Sequence, residues 1–289
     1  MQFFLEFTTY ILLKTFSKTL SLFPRSITIF IGKIFGFIMC YFFPLRKKVA
    51  KINLKIAFPK KTNKEINSLV RKTYVHYGIL MFEFIRSHSK SPDNTLFKID
   101  KNTKEILSLK DGLIFMTGHI GNWEMTIPIL SQYKPVTAIV REQRNSGGHK
   151  FFSECRTLNN VELITNKGSK RKMLNAINNG RILILASDQN AKKRGTYIDF
   201  FGTKSSIPKG AGHFHYVTKK NIVIGFCILN KDFNYNFHLE VLNLNKKYEQ
   251  KDDLIVEVNK VYVELLEKKI KKYPEQYFWF HKKWDKNIY

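Results

Sequence analysis

Six short apolar or β-branched runs occupy residues 113–117, 136–140, 161–164, 182–186, 222–229 and 237–242, and most are separated by stretches of helical character. Runs of this length suit strands buried on both faces, and strands alternating with helices predict an α/β fold, a mixed central sheet flanked by helices. A last helix is expected over roughly residues 252–272. There Leu254, Val258, Val261, Leu265 and Ile270 fall near helical spacing, and Pro274 bars continuation. No internal repeat and no long Gly/Ser/Pro linker interrupts the chain. Neither GxxxxGK[ST] nor GxGxxG occurs, so a nucleotide cofactor has no support in the sequence.

The N-terminal part reads differently. Residues 26–44, SITIFIGKIFGFIMCYFFP, carry one charge, Lys33. As a helix this run is nearly as long as a hydrocarbon core is thick. The preceding MQFFLEFTTYILLKTFSKTLSLF is amphipathic and aromatic-rich but lacks the basic start and small-residue cleavage site of a secretory signal. Residues 1–45 are therefore expected to form a retained hydrophobic membrane helix that crosses or lies in a bilayer, with residues 46–289 as the second unit. The alternative is a buried hairpin of two core helices, to which Lys33, Gly32 and Gly36 point. Directly after the apolar run, residues 44–76 hold ten basic residues and one acid, Glu65, a cluster suited to an anionic leaflet.

That cluster is part of a chain-wide bias: 49 Lys+Arg against 23 Asp+Glu give a net charge of +26. Solubility needs far less, so an anionic partner is implied: nucleic acid, an anionic membrane face, a phosphorylated lipid or an acidic carrier protein. Cys40, Cys155 and Cys227 are odd in number and widely spaced, which disfavours a disulfide framework or a thiolate zinc site. His213 and His215 lie two apart in a segment that reads as helix, where such positions diverge, and no acidic or thiol cluster accompanies them. No metal is expected. Trp279, Phe280 and Trp284 with Lys282 and Lys283 read either as an interfacial aromatic anchor or as the edge of the core.

The chemistry is expected at the end of the first strand of the alternating region, in Thr117-Gly118-His119-Ile120-Gly121-Asn122-Trp123-Glu124-Met125. On one continuous helix, His119 and Glu124 would diverge by about 140°. A bend at Gly121-Asn122 instead leaves His119 at the strand's carboxyl end and Glu124 in the first turn of the next helix. There Glu124 can orient the imidazole while His119 takes a proton from a hydroxyl. Arg141 and Asp188 also follow predicted strands, and open α/β sheets gather their sites at such ends. Arg141 reads as a phosphate or oxyanion contact or as a surface ion pair. Asp188 reads as a residue orienting Arg141 or the acceptor, or as a helix cap.

These residues resemble the HX4D/E acyltransferases and, within them, the bacterial lipid A biosynthesis acyltransferases. The likeness runs through Arg46, Val49-Ala50, Asn53-Leu54 and Ala57-Phe58-Pro59, then Gly118-His119-Ile120-Gly121-Asn122-Trp123-Glu124. It continues through Asp188-Gln189, Arg194-Gly195, Phe200-Phe201-Gly202 and Ile207-Pro208-Lys209-Gly210, and ends in Pro274-Glu275-Gln276-Tyr277-Phe278-Trp279-Phe280-His281-Lys282-Lys283-Trp284. Ile120 departs from it, since the family often has an aromatic residue there, and so do Lys192-Lys193 in the loop after Asp-Gln.

The resemblance implies a glycerolipid acyltransferase-like fold and a membrane-associated enzyme. Such an enzyme moves an acyl chain from an acyl thioester, on acyl carrier protein or coenzyme A, to a hydroxyl on a hydroxyacyl chain of a lipid A precursor. It implies His119 as base and Glu124 as its orienter, with transfer in a ternary complex and no metal or other cofactor. Backbone N–H groups of Gly121 and Asn122, or Arg141, would stabilise the oxyanion. Trp123, Asp188, Gln189, Lys192, Lys193 and Arg194 would contact substrate, the last three the phosphorylated or acidic sugars of the acceptor. A monomer at the cytoplasmic side of a bacterial inner membrane, with no nucleic acid partner, completes the expectation. The alternatives are another glycolipid or glycerolipid acceptor and, from a different class, a basic nucleic-acid-binding protein.

Overall fold

The computed structural model describes residues 2–88, 93–165, 170–244 and 248–289. Four helices lead the chain: α1 (Gln2–Leu22), α2 (Arg25–Tyr41), α3 (Lys47–Ala57) and α4 (Asn63–Ser87). The start of α4 is fixed by a capping box in which the Thr62 side chain accepts from the Glu65 backbone N–H and the Glu65 carboxylate accepts from that of Thr62. Then come β1 (Phe97–Ile99), α5 (Lys101–Ser108), β2 (Leu113–Thr117), α6 (Thr126–Leu130), β3 (Val136–Val140), α7 (Ser146–Arg156), β4 (Val161–Thr165), α8 (Lys170–Asn178) and β5 (Ile182–Ala186). A hairpin of β6 (Thr196–Phe200) and β7 (Thr203–Ile207) precedes α9 (Gly210–Thr218), β8 (Ile222–Leu229), β9 (Tyr235–Val241) and α10 (Lys251–Lys272).

Seven strands form one sheet in the order β1-β9-β8-β2-β5-β3-β4. β8, β2, β5, β3 and β4 run parallel, and β9 pairs antiparallel with β8, so the sheet is mixed as expected. β2 is buried along its whole length because both faces are covered. Its Ile114 and Met116 pack into a core with Val70 of α4, Ile177 of α8, Phe214 of α9 and Val258 of α10. Leu113 and Phe115 point the other way, among Leu107 of α5 and Ile129 and Leu130 of α6.

The spanning anchor is corrected. No described helix is long and apolar enough to cross a membrane. The apolar run is broken at Pro24 and again after Tyr41, and α2 spends one face on α4. Gly32, Gly36 and Gly78 permit this contact: a Cβ at Gly36 would lie 2.6 Å from the Val75 Cα, and one at Gly32 would lie 2.8 Å from the Ile79 Cα. The hairpin alternative thus holds for the contact with α4. It does not hold for the outer face, where Phe30 (62%), Phe37 (47%) and Phe42 (72%) stay exposed together with Phe4, Phe7 and Leu12 of α1. An exposed apolar surface of this kind is what a bilayer or another partner covers.

The backbones of α2 and α4 are too close to admit a side chain at Gly36. Gly36→Val is expected to cost about 1–3 kcal/mol as overpacking, read as a lowered midpoint of urea unfolding at unchanged slope.

Candidate active site

The parallel register of β2 and β5 pairs Thr117 with Ala186, and the Ser187 N–H extends the ladder by donating to the Thr117 carbonyl at 2.8 Å. Two residues beyond each paired end stand His119 and Asp188. Their side chains meet, with His119 Nδ1 2.7 Å from Asp188 Oδ1. The carboxylate is only 3% exposed and the imidazole 19%, so the acid is buried behind a ring that reaches the surface. With Nδ1–H donating to Asp188, Nε2 is left to act as an acceptor, and the Gln189 amide lies 3.4 Å from it.

Burial works against the imidazolium, but the charge and hydrogen bond of Asp188, with the charge of Glu124 behind them, outweigh it and raise the His119 pKa above its usual value. Burial likewise works against the Asp188 carboxylate. His119 and the cation of Lys283 more than offset this and hold its pKa at about 2. Lys283 is itself buried, and its ammonium donates to the Asp188 backbone carbonyl. Its pKa is pushed down to about 8 by burial.

Glu124 is not the residue that orients His119 here. Its carboxylate takes a bidentate ion pair from Arg156 at the end of α7, Nη2 to Oε1 at 2.6 Å and Nε to Oε2 at 2.7 Å, and accepts from Trp123 Nε1 at 3.2 Å. Both partners stay mostly buried, and Arg156 also lies over the Phe84 ring. The bend expected between His119 and Glu124 is present. Gly121 has φ +63°, and a Cβ there would sit on the Cys227 carbonyl.

That same docking overturns the backbone oxyanion assignment. The Gly121 N–H donates to Gln276 O at 2.9 Å and the Asn122 N–H to Cys227 O at 2.7 Å, while the buried Asn122 side chain donates to the Tyr235 hydroxyl. Gly121 and Asn122 therefore build the turn, with both N–H groups already engaged by backbone carbonyls.

A cleft of about 1070 Å³ opens in front of the dyad, lined by His119, Trp123, Glu124, Arg141, Lys192 and Arg194 among others. Arg144, Arg156 and Lys209 join this lining. With Arg141, Lys192 and Arg194 they make the wall strongly basic against Glu124 and Glu142. Gln189 approaches His119 but does not line the cleft, and neither does Lys193, which is exposed.

The C-terminal segment is not an interfacial anchor, since Trp279 and Trp284 are fully buried. It braces the site: the Phe278 N–H donates to the His119 carbonyl at 2.9 Å, and Tyr77 of α4 donates to the same oxygen. Asn53 holds the Trp279 and His281 carbonyls, and Arg46 holds that of Phe280. Motifs far apart in sequence thus converge behind one loop. His215 is engaged by the Lys220 carbonyl, and no described group of His, Cys, Asp and Glu could hold a metal ion.

Residues 4–286 match the family model described as bacterial lipid A biosynthesis acyltransferase. The protein belongs to that family. It is 20% identical over 267 residues to the lipid A biosynthesis palmitoleoyltransferase of Escherichia coli (strain K12), covering 90% of this chain and 85% of that one. The lipid A biosynthesis acyltransferase of Shigella flexneri matches equally. A phosphatidylinositol mannoside acyltransferase of Mycolicibacterium smegmatis is 23% identical over 104 residues, 34% of each chain. The enzyme class left open by the basic composition is therefore acyl transfer to a lipid acceptor. Arg156 and Tyr77 were missed in the sequence because nothing local distinguishes them from surface or core residues, and Lys283 was read only as part of the C-terminal motif, not as the cation behind Asp188.

The dyad makes a measurable statement. His119 should titrate above the usual histidine range of about 6.5 in an NMR pH titration. In Asp188→Asn the favourable charge is gone while burial remains, so its pKa should fall below that range. An unchanged pKa would remove Asp188 as its partner.

Proposed function

We propose that the protein transfers a fatty acyl chain from the thioester of an acyl carrier protein to a hydroxyl on a hydroxyacyl chain of a lipid A precursor, at the cytoplasmic side of a bacterial inner membrane. The observation that carries this reading is the His119–Asp188 pair at the floor of a basic cleft. His119 Nε2 accepts the hydroxyl proton as the oxygen attacks the thioester carbonyl, and Asp188 steadies the resulting imidazolium. Collapse of the tetrahedral intermediate expels the thiolate, which takes that proton back. No covalent acyl-enzyme is needed, and no metal or other cofactor enters the scheme.

The oxyanion needs a donor other than the loop amides, which are already engaged. The Gln189 amide beside Nε2 and the Arg141 guanidinium at the end of β3 fill that role in the proposal. Glu124 and Arg156, bound to each other, form part of the cleft wall, so Glu124 acts on the imidazole through its charge rather than by contact. Arg141, Lys192, Arg194 and their neighbours take the acidic groups of the acceptor, with Lys193 adding charge outside the rim. An acidic carrier protein suits a chain with a net charge of +26.

The test is transfer of a labelled acyl group from acyl carrier protein to a lipid A precursor by the purified protein. His119→Ala should lose on the order of 10²–10⁴ in rate, the usual worth of a general base. Retained transfer by this variant would overturn the mechanism. Because the base must be neutral, activity of the wild type should rise with pH through the raised pKa of His119. Asp188→Asn should move that acid limb to lower pH while lowering its plateau.

A further inference from the structure

α7 carries cleft-lining residues at both of its ends: Arg144 stands two residues before it, and Arg156 is its last residue. Yet α7 rests more on helices than on the sheet, packing chiefly against α1 and less against α4 and β4. Phe151, in its middle, is fully buried in a small separate core with Phe82 and Ile85 of α4 and Leu20 of α1, against which Tyr10 and Leu13 also pack. Polar contacts fix the register of α1 on α7. The Tyr10 hydroxyl donates to the Glu154 carboxylate, 3.0 Å from each oxygen, and His88 Nε2, just beyond the end of α4, meets the same carboxylate at 2.8 Å. At the start of α7 the Ser146 hydroxyl donates to the Glu6 carboxylate at 2.6 Å, and the capping Asn145 donates to the Thr9 hydroxyl at 3.3 Å. Gly147 permits this approach, since a Cβ there would collide with the Glu6 carbonyl.

The other end of α7 enters the cleft wall. Residues two apart on a helix point in nearly opposite directions, so α7 presents Glu154 to α1 and Arg156 to Glu124. Arg156 holds Glu124 by two hydrogen bonds, and the Trp123 indole N–H donates to the same Glu124 oxygen that Arg156 Nη2 engages. Arg141 is placed differently: it directly follows β3, so the sheet sets its position. We propose that α1 is a positioning element of the cleft, with Tyr10 and Glu154 as its positioning residues, gripping α7 so that Arg144 and Arg156 keep their places in the wall that receives the acceptor. The consequence for catalysis rests on the acyl-transfer reading, whereas the coupling from α1 to Glu124 does not. The N-terminal helix thus helps to shape the site with one face while its other face stays apolar and exposed.

The experiment reads the Trp123 indole N–H by NMR on the full chain in detergent micelles, with Trp123→Phe assigning its resonance among the three tryptophans. Tyr10→Phe keeps the packed ring and deletes the hydroxyl. It should shift the Trp123 resonance and leave those of the buried Trp279 and Trp284 in place. Glu154→Ala should do the same, and Glu154→Gln, which still accepts a hydrogen bond, should shift it less. In transfer assays Tyr10→Phe should raise the acceptor KM about fivefold, the worth of one net hydrogen bond, at a kcat near that of the wild type. Leu12→Ser alters only the exposed face of α1 and should change neither reading. An unmoved Trp123 resonance in both Tyr10→Phe and Glu154→Ala, an unaltered KM in Tyr10→Phe, or an equal shift in Leu12→Ser overturns the inference. A shifted resonance without any transfer by the wild type would sink the acyl-transfer reading and uphold the coupling.

Discussion

Pairing of β2 with β5 is the constraint on which the site rests. Strands 69 residues apart at their active-site positions are locked in parallel register, and the residues two beyond each end are brought to 2.7 Å. A one-residue slip would turn every side chain of β2 to the opposite face and carry His119 away from Asp188. The two faces of β2 are filled by different cores, so such a slip would bury and expose the wrong residues along the whole strand. The hydrophobic pattern that makes the sheet therefore also sets the geometry of the dyad.

Around that dyad the protein holds an unusual density of buried charge. Asp188 faces His119 on one side and the Lys283 ammonium on the other, and Glu124 is clasped by Arg156. Charges removed from water persist only when paired and hydrogen-bonded. The C-terminal segment closes the back of the site, with Asn53 and Arg46 satisfying its own carbonyls at Trp279, His281 and Phe280 and Tyr77 satisfying that of His119. The charge pairing places the two carboxylates in different roles: one is set at the ring nitrogen, and the other is set in the wall.

Much of the sheet was legible. All six predicted strands exist at or within two residues of the expected limits: β2 and β8, buried throughout, read as continuous apolar runs, and β9 reads by its alternation. The short β1 and the β6–β7 hairpin escaped. β1 has three residues, and the hairpin is short and largely polar, with Asp199 in β6 and Lys204, Ser205 and Ser206 in β7, so neither forms an apolar run. His119 and the bend at Gly121 were legible from the motif itself. The partner of the imidazole was not, since Glu124 is five residues away in sequence and Asp188 is far along the chain. Asp188 was nevertheless marked by its place after a strand, and the neighbouring strand was the missing fact.

What the sequence determined by itself is six strands of the main sheet, the histidine at the end of one of them, the basic excess, and the family to which these motifs belong. Those features are local, or are sums over the chain, and need no knowledge of what packs on what. Tertiary structure alone decided that Asp188 rather than Glu124 meets the imidazole, that Arg156 claims Glu124, that the amides of Gly121 and Asn122 are already engaged, and that α2 lies on α4 instead of crossing a bilayer. Each of these outcomes depends on which surfaces compete for one partner. A hydrogen bond or a glycine contact is won by the group that folding brings closest, and distance along the chain does not fix that.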